Sequence, residues 1–170
     1  MNKLIRVANH HAASTSRRGI LLLAGALTLG AAGAWLAHAD ATPVRAETIT
    51  ITMSPLCGCC GGWVDYMRKA GYSVSVVESD DILAVKQAAG VPEELYSCHT
   101  AEVAGYVVEG HVPAPAIEKL LRERPAIDGI ALAGMPAGAP GMGGPVQSSY
   151  PVEAFRDGRL DGRFMDAPLN

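Results

Sequence analysis

Residues 47–53, ETITITM, set Ile49, Ile51 and Met53 against Thr48, Thr50 and Thr52. This period-two pattern predicts a strand with one buried face. Ser54-Pro55 ends it, and SPLCGCCGGW follows with three cysteines in four positions. From Cys59 onward, Trp63, Val64, Met67 and Ala70 recur at helical spacing, with Gly71 as the stop. A strand that runs directly into a cysteine-bearing helix start leaves few architectures open, because the helix must fold back over the apolar side of its own strand.

The remaining pattern narrows the choice. Residues 72–78 predict a second strand, and Asp80 or Asp81 can cap a short helix that runs to Ala89 before Gly90 and Pro92. Val103, Tyr106, Val107 and Val108 predict a further strand or a tight hairpin. Ile117, Leu120 and Leu121 then share one helical face up to Arg124-Pro125. Strands and helices alternate as β-α-β-α-β-α, which predicts an α/β fold: a small mixed sheet with helices packed on it. A dithiol between the first strand and first helix is the thioredoxin-like placement. Residues 134–145 form a Gly/Pro-rich loop holding Met135 and Met142, and Asp157-Gly158 predicts a hairpin turn between 152–155 and 160–164. Residues 40–170 are expected to form a single domain.

The first 39 residues have a different character. Lys3, Arg6, Arg17 and Arg18 precede an apolar run from Gly19 to Ala37, and AHA stands before Asp40. That order predicts an export signal cleaved after Ala39, and the Arg17-Arg18 pair is of twin-arginine type. An uncleaved membrane anchor is the alternative. Without this segment, Lys plus Arg falls from 14 to 10 against 17 acids, a net charge of about −7. Such a balance leaves no basic patch for nucleic acid. All four cysteines lie in the exported part, where disulfides are the default expectation.

Three chemistries compete for those cysteines. Cys57 and Cys60 have C-x-x-C spacing and can act as a redox couple. Thiolates at a helix N-terminus have lowered pKa, which suits exchange and metal binding equally. Cys59 is superfluous to a bare dithiol and would tend to scramble its disulfide. A stable pairing of all four is awkward too, since adjacent Cys59 and Cys60 would close a strained ring. Clustered sulfurs suit bridging thiolates. Zinc could use Cys57, Cys60 or Cys59, and Cys98, but the paired knuckles are absent, and soft sulfur-only coordination in an exported protein favours Cu(I). Met135 and Met142 add thioether ligands, with gap filling as the alternative. Met53 and Met67 fall on buried faces and read as packing. His99 and His111, the only histidines beyond the signal, are further candidate ligands. Asp80, Asp81, Glu93 and Glu94 read as caps and a solvated face.

Taken in order, SPLCGCCGGWVDYMRKAGY, GVPEELYSCHTAEVAGYVVEGHVPAPAI, LLRERP and GMPAGAPGM resemble the exported family that includes the copper-resistance protein CopG, distinct from the ribbon-helix-helix repressors sharing that name. The resemblance runs from about Thr48 to Met142. It implies a thioredoxin-like domain that binds Cu(I) in a multinuclear thiolate cluster, in periplasmic copper tolerance. Carried over, Cys57, Cys59, Cys60 and Cys98 match the family cysteines, and Met135 and Met142 match its Gly-Met-Pro and Pro-Gly-Met motifs. Ala139 and Gly143 depart from the family pattern, in the loop rather than at a sulfur. The expected partners are copper ions and other periplasmic copper-handling proteins. Two further readings stand beside this one: a thiol-disulfide oxidoreductase using Cys57 and Cys60, and a disulfide-stabilised scaffold for a protein partner.

Overall fold

The computed structural model describes residues 44–169. The expected export signal and its anchor alternative lie outside them. Among the described residues no helix is long and apolar enough to cross a membrane.

The chain runs β1 (Thr48–Met53), α1 (Gly58–Lys69), β2 (Ser73–Glu78), α2 (Ile82–Ala88), β3 (His99–Val103), β4 (Tyr106–Glu109), α3 (Ala114–Glu123), β5 (Gly129–Ala131), β6 (Tyr150–Arg156) and β7 (Arg159–Ala167). The seven strands form one sheet in the order β2-β1-β3-β4-β5-β6-β7. β1 is parallel to β2 and antiparallel to β3, and β4 is antiparallel to β3 but parallel to β5. This is the expected mixed sheet, and the cysteine run sits at the end of β1 and the start of α1, as the thioredoxin-like reading requires.

One face carries the main core. Ile49 and Ile51 of β1, Ala101 and Val103 of β3 and Val108 of β4 pack against Trp63, Val64 and Met67 of α1 and Ile117, Leu120 and Leu121 of α3. The period-two and helical patterns put these residues inward, and burying each large side chain stabilises the fold by about 1.5–3 kcal/mol. α3 begins with Pro115 in its first turn, where the missing N–H costs nothing, and ends at Arg124 in a left-handed conformation. The second face is smaller: Val91, Leu95, Ala131 and Phe155 cluster there, with Tyr96 and Val107 packed around them. Asp81 caps α2 by accepting the Ala84 N–H at 2.9 Å, the role its position predicts.

Three features sharpen the sequence reading. The third strand is a hairpin, turned at Ala104-Gly105 with φ of 48° and 85°, so two strands stand where the alternation allowed one. β5 spans only Gly129–Ala131 and is too short to show a period; a Cβ at Gly129 would lie 2.3 Å from the Val107 carbonyl oxygen, so only glycine lets this strand dock on β4. The hairpin at Asp157-Gly158 is present with longer arms than predicted, and it carries the sheet to its β7 edge.

Candidate metal centre

β1 and α1 bring the first three cysteines together. Ser54 to Cys57 form a turn closed by the Cys57 N–H on the Ser54 carbonyl at 3.0 Å, which reverses the chain from strand into helix. Cys57 is the N-cap of α1, with Cys59 and Cys60 in its first turn. Cys57 and Cys60 are joined as a disulfide, and Cys59 and Cys98 are free. Cys98 arrives from the segment before β3, the strand hydrogen-bonded to β1. Cys59 stands between the two parts of the set: its Sγ lies 3.5 Å from that of Cys57 and 3.7 Å from that of Cys98. All four sulfurs fall within 4.8 Å of one another.

Both histidines face the same place. His111 Nε2 lies 2.7 Å from Cys98 Sγ, while its Nδ1 lies 2.6 Å from the Pro140 carbonyl oxygen. A carbonyl only accepts, so Nδ1 carries the proton and Nε2 presents a lone pair to Cys98. A histidine held through its far nitrogen by a backbone carbonyl is oriented as metal-ligating imidazoles are. His99 is fully buried, its ring centred 4.7 Å from that of Trp63 and 4.9 Å from that of His111. Neither of its nitrogens makes a well-formed hydrogen bond among the described residues. A buried imidazole with both nitrogens unspent is costly and requires a reason. Cys98, His99 and His111 each offer a ligand atom within 4.8 Å of the others, which supplies one.

Burial, followed by the nearby His111 ring and the Lys86 ammonium, holds His99 well below the usual imidazole range, and burial also lowers His111. Both imidazoles are therefore neutral at neutral pH. Because the folded pKa values are depressed, the unfolded chain takes up these protons first as pH falls. Stability is full above the unfolded value of about 6.5 and is lost below it. Urea unfolding of the metal-free protein at pH ~5.5 should show a deficit of about 1 kcal/mol per histidine relative to pH ~7.5, of which His99→Gln removes one histidine's share. A midpoint indifferent to pH over that window would contradict the buried neutral pair.

Cys98 differs from a thiol at a helix end. Burial, with the Cys59 thiol as next cause, pushes its pKa up to about 12. It keeps its proton until a cation replaces it, and His111 Nε2 is placed to accept that S–H.

The Gly/Pro-rich loop lies against the cysteine helix. A Cβ on Gly62 would meet Gly141 Cα at 2.8 Å, and one on Gly141 would meet the Trp63 N at 2.4 Å and the Cys59 carbonyl oxygen at 2.8 Å. Gly141 also has φ of 81°, so two bare backbones touch where no side chain fits. This contact seats Pro140 over His111, and Met142, which follows Gly141, is partly buried against the core. Met135 is 61% exposed and follows Gly134, whose carbonyl accepts the Ser97 hydroxyl beside Cys98. The geometry thus gathers the four cysteines and both histidines; Met135 and Met142 lie on the loop whose Gly141 touches α1. Of the methionines read as packing, Met67 is in the core and Met53 packs at its edge. Gly141→Ala should destabilise by about 1–3 kcal/mol, as overpacking does, and should release the His111 Nδ1 proton seen by nitrogen NMR. An unchanged midpoint and ring signal would show that the loop is held elsewhere.

Sequence reasoning did not single out Lys86, Ser97, Thr100 or Glu109, which form a buried polar cluster directly behind Cys98. The one signal was Glu109 itself, an acid closing the apolar run YVVEG. Its partner Lys86 is distant in sequence and looks like an ordinary exposed helix residue.

Residues 95–142 match the family model described as "Protein of unknown function, DUF411". Two solved structures of a copper resistance protein, copG, are similar. Form 2 has a TM-score of 0.65 and 40% identity, covering 72% of this chain and 98% of that one. Form 1 has a TM-score of 0.64 and 40% identity, covering 71% and 97%. A search of the curated proteins returns no match.

Proposed function

The chain belongs to the family of the copper resistance protein copG, and from that premise we propose that it is a periplasmic Cu(I)-binding protein of copper resistance, which captures copper on clustered thiolates. The observation that carries this reading is the convergence of four sulfurs within 4.8 Å, with a second group of Cys98, His99 and His111 sharing one of them. So many soft donors around Cys98 exceed the needs of one ion and suit several Cu(I) ions bridged by thiolate. In this reading Cys57, Cys59, Cys60 and Cys98 are the principal ligands, Met135 and Met142 complete the set from the loop, and His99 and His111 are nitrogen ligands at its inner side.

Binding requires the thiolate forms. Copper displaces the Cys98 proton, so loading releases protons and strengthens as pH rises. The Cys57–Cys60 disulfide supports redox-controlled release: the two copper-bound thiolates give two electrons to an acceptor disulfide, whose sulfurs take two protons from water, and they close their own S–S bond, so two thiolates leave the set and the Cu(I) they held is freed. Anaerobic titration of the reduced protein with Cu(I) should raise a thiolate-to-copper absorbance that saturates at several ions per chain. No absorbance while all four thiols react freely would sink the proposal.

A second reading is favoured by one contact. Cys59 Sγ lies 3.5 Å from a sulfur of the disulfide, within reach for exchange, as in a thiol-disulfide oxidoreductase. Insulin reduction should then depend on Cys57 and Cys60 and ignore Met135 and Met142. Activity that survives Cys57→Ser would count against it.

A further inference from the structure

Behind the cysteine set, on the α2 face of the sheet, three side chains close on one another away from water. The Lys86 ammonium lies 2.6 Å from Glu109 Oε1 and 3.2 Å from Thr100 Oγ1. Thr100 and Glu109 are paired across β3 and β4, and the Thr100 hydroxyl donates to Glu109 Oε2 at 2.7 Å. Lys86 is 3% exposed and Glu109 is fully buried. An apolar pair of similar volume would serve folding at least as well, since two buried charges lose more solvation than their attraction readily returns. Stability alone therefore does not account for this pair.

The remaining bond of the carboxylate leads to the site. Glu109 Oε1 accepts the Ser97 N–H at 2.6 Å, one residue before Cys98. On its other side the Ser97 hydroxyl donates to the Gly134 carbonyl in the loop that bears Met135. The Lys86 ammonium also stands 6.0 Å from the Tyr96 ring centroid. Gly110 makes the approach possible: its φ is 74°, and a Cβ there would lie 2.4 Å from Ser97 Oγ. Residues 96–98 connect a 3-10 turn, Glu93–Leu95, to β3, and their place is set by these side-chain bonds.

We propose that Glu109, held in place by Lys86, is a positioning residue that fixes the Cys98 sulfur against Cys59 through the Ser97 N–H. This rests on the copper-binding reading for its purpose, though not for its geometry. Charge-assisted hydrogen bonds are stronger and shorter than neutral ones. A carboxylate that takes three donors at once holds the backbone before Cys98 more firmly than a turn would. The ammonium keeps that carboxylate ionised and in place.

Two double variants separate positioning from folding. Lys86→Met/Glu109→Leu replaces the pair by apolar groups and leaves the Ser97 N–H without an acceptor. Lys86→Met/Glu109→Gln keeps an amide oxygen for it. In competition against bicinchoninate, the Leu variant should bind Cu(I) about 10- to 100-fold more weakly than wild type, the range for residues that orient metal ligands. The Gln variant, which keeps the acceptor for Ser97 but loses its charge and the ammonium that holds it, should bind clearly more tightly than the Leu variant and short of wild type. Should the Leu variant fail to fold, Glu109→Asp retracts the acceptor from Ser97 while leaving Lys86 a partner, and the same weakening is expected. A folded Leu variant, or the Asp variant in its place, that binds like wild type overturns the proposal.

A copper-free measurement keeps the two claims apart. With the Cys57–Cys60 disulfide intact, dibromobimane should bridge Cys59 and Cys98, whose sulfurs are 3.7 Å apart. Bridging should fall in the Leu or Asp variant and recover in the Gln variant. Equal yields in all of them overturn the positioning role. A wild-type protein that binds no Cu(I) yet shows this pattern would remove the copper reading and uphold the positioning of Cys98.

Discussion

Cys59→Ser is expected to reduce copper loading of the reduced protein from several ions per chain to at most one, with the fold intact and the Cys57–Cys60 disulfide still able to form on oxidation. Cys59 Sγ is the sulfur between the other two groups, 3.5 Å from Cys57 and 3.7 Å from Cys98. Without it, the helix-end pair and the Cys98–His111 pair lose their common bridging thiolate. A hydroxyl is nearly isosteric with the thiol but is a hard, poor ligand for Cu(I). The side chain is only partly buried, so the stability cost should stay within about 0.5 kcal/mol. The oxidoreductase reading places the larger loss elsewhere: insulin reduction is abolished by Cys57→Ser or Cys60→Ser, while Cys59→Ser removes only the internal exchange partner of their disulfide. Full copper loading by Cys59→Ser would show that Cys59 is not a bridging ligand.

The largest effect on stability should come from the buried ion pair. Lys86→Met leaves the Glu109 carboxylate fully buried without its ammonium, and breaking one side of such a pair costs about 3–5 kcal/mol. The deficit should depend on pH in a defined direction. Burial already pushes the Glu109 carboxyl above its ordinary range, against the pull of Lys86. Without the ammonium the carboxyl rises further, so the folded variant takes up this proton before the unfolded chain does. The gap between wild type and variant should therefore narrow as pH falls from ~8 to ~5. Denaturant midpoints at both pH values test this, and a deficit under about 1 kcal/mol at pH ~8 would contradict a buried, charged pair.

The two halves of the site were not equally open to sequence reasoning. Cys57, Cys59 and Cys60 lie on one continuous strand-to-helix segment, so the alternation of Ile49 and Ile51 and the helical spacing of Trp63, Val64 and Met67 place them without knowledge of the rest of the fold. Cys98 joins them because β3 pairs with β1, a long-range neighbourhood that only the thioredoxin-like reading, and no local strand pattern, could suggest. His99 and His111 are harder. His99 opens β3 and His111 lies two residues past the end of β4, and which face each takes depends on register. His99 points inward with Ala101 and Val103, and His111 is set by a carbonyl of the distant loop at Pro140. The Gly62–Gly141 contact was visible only as two glycines in unrelated stretches, since neither carries a side chain to form a pattern. Lys86 and Glu109 were least legible, because a charge on a short helix reads as solvated until a partner across the sheet is known.

The central claim is that these sulfurs hold copper, and native mass spectrometry tests it most directly because it counts copper ions and disulfides on the same molecule. The reduced protein, loaded anaerobically and desalted, should carry several Cu(I) ions with no disulfide. After oxidation it should carry the Cys57–Cys60 disulfide and less copper. A chain that holds no copper in either state, with its thiols free before oxidation and a single disulfide after it, would contradict the account.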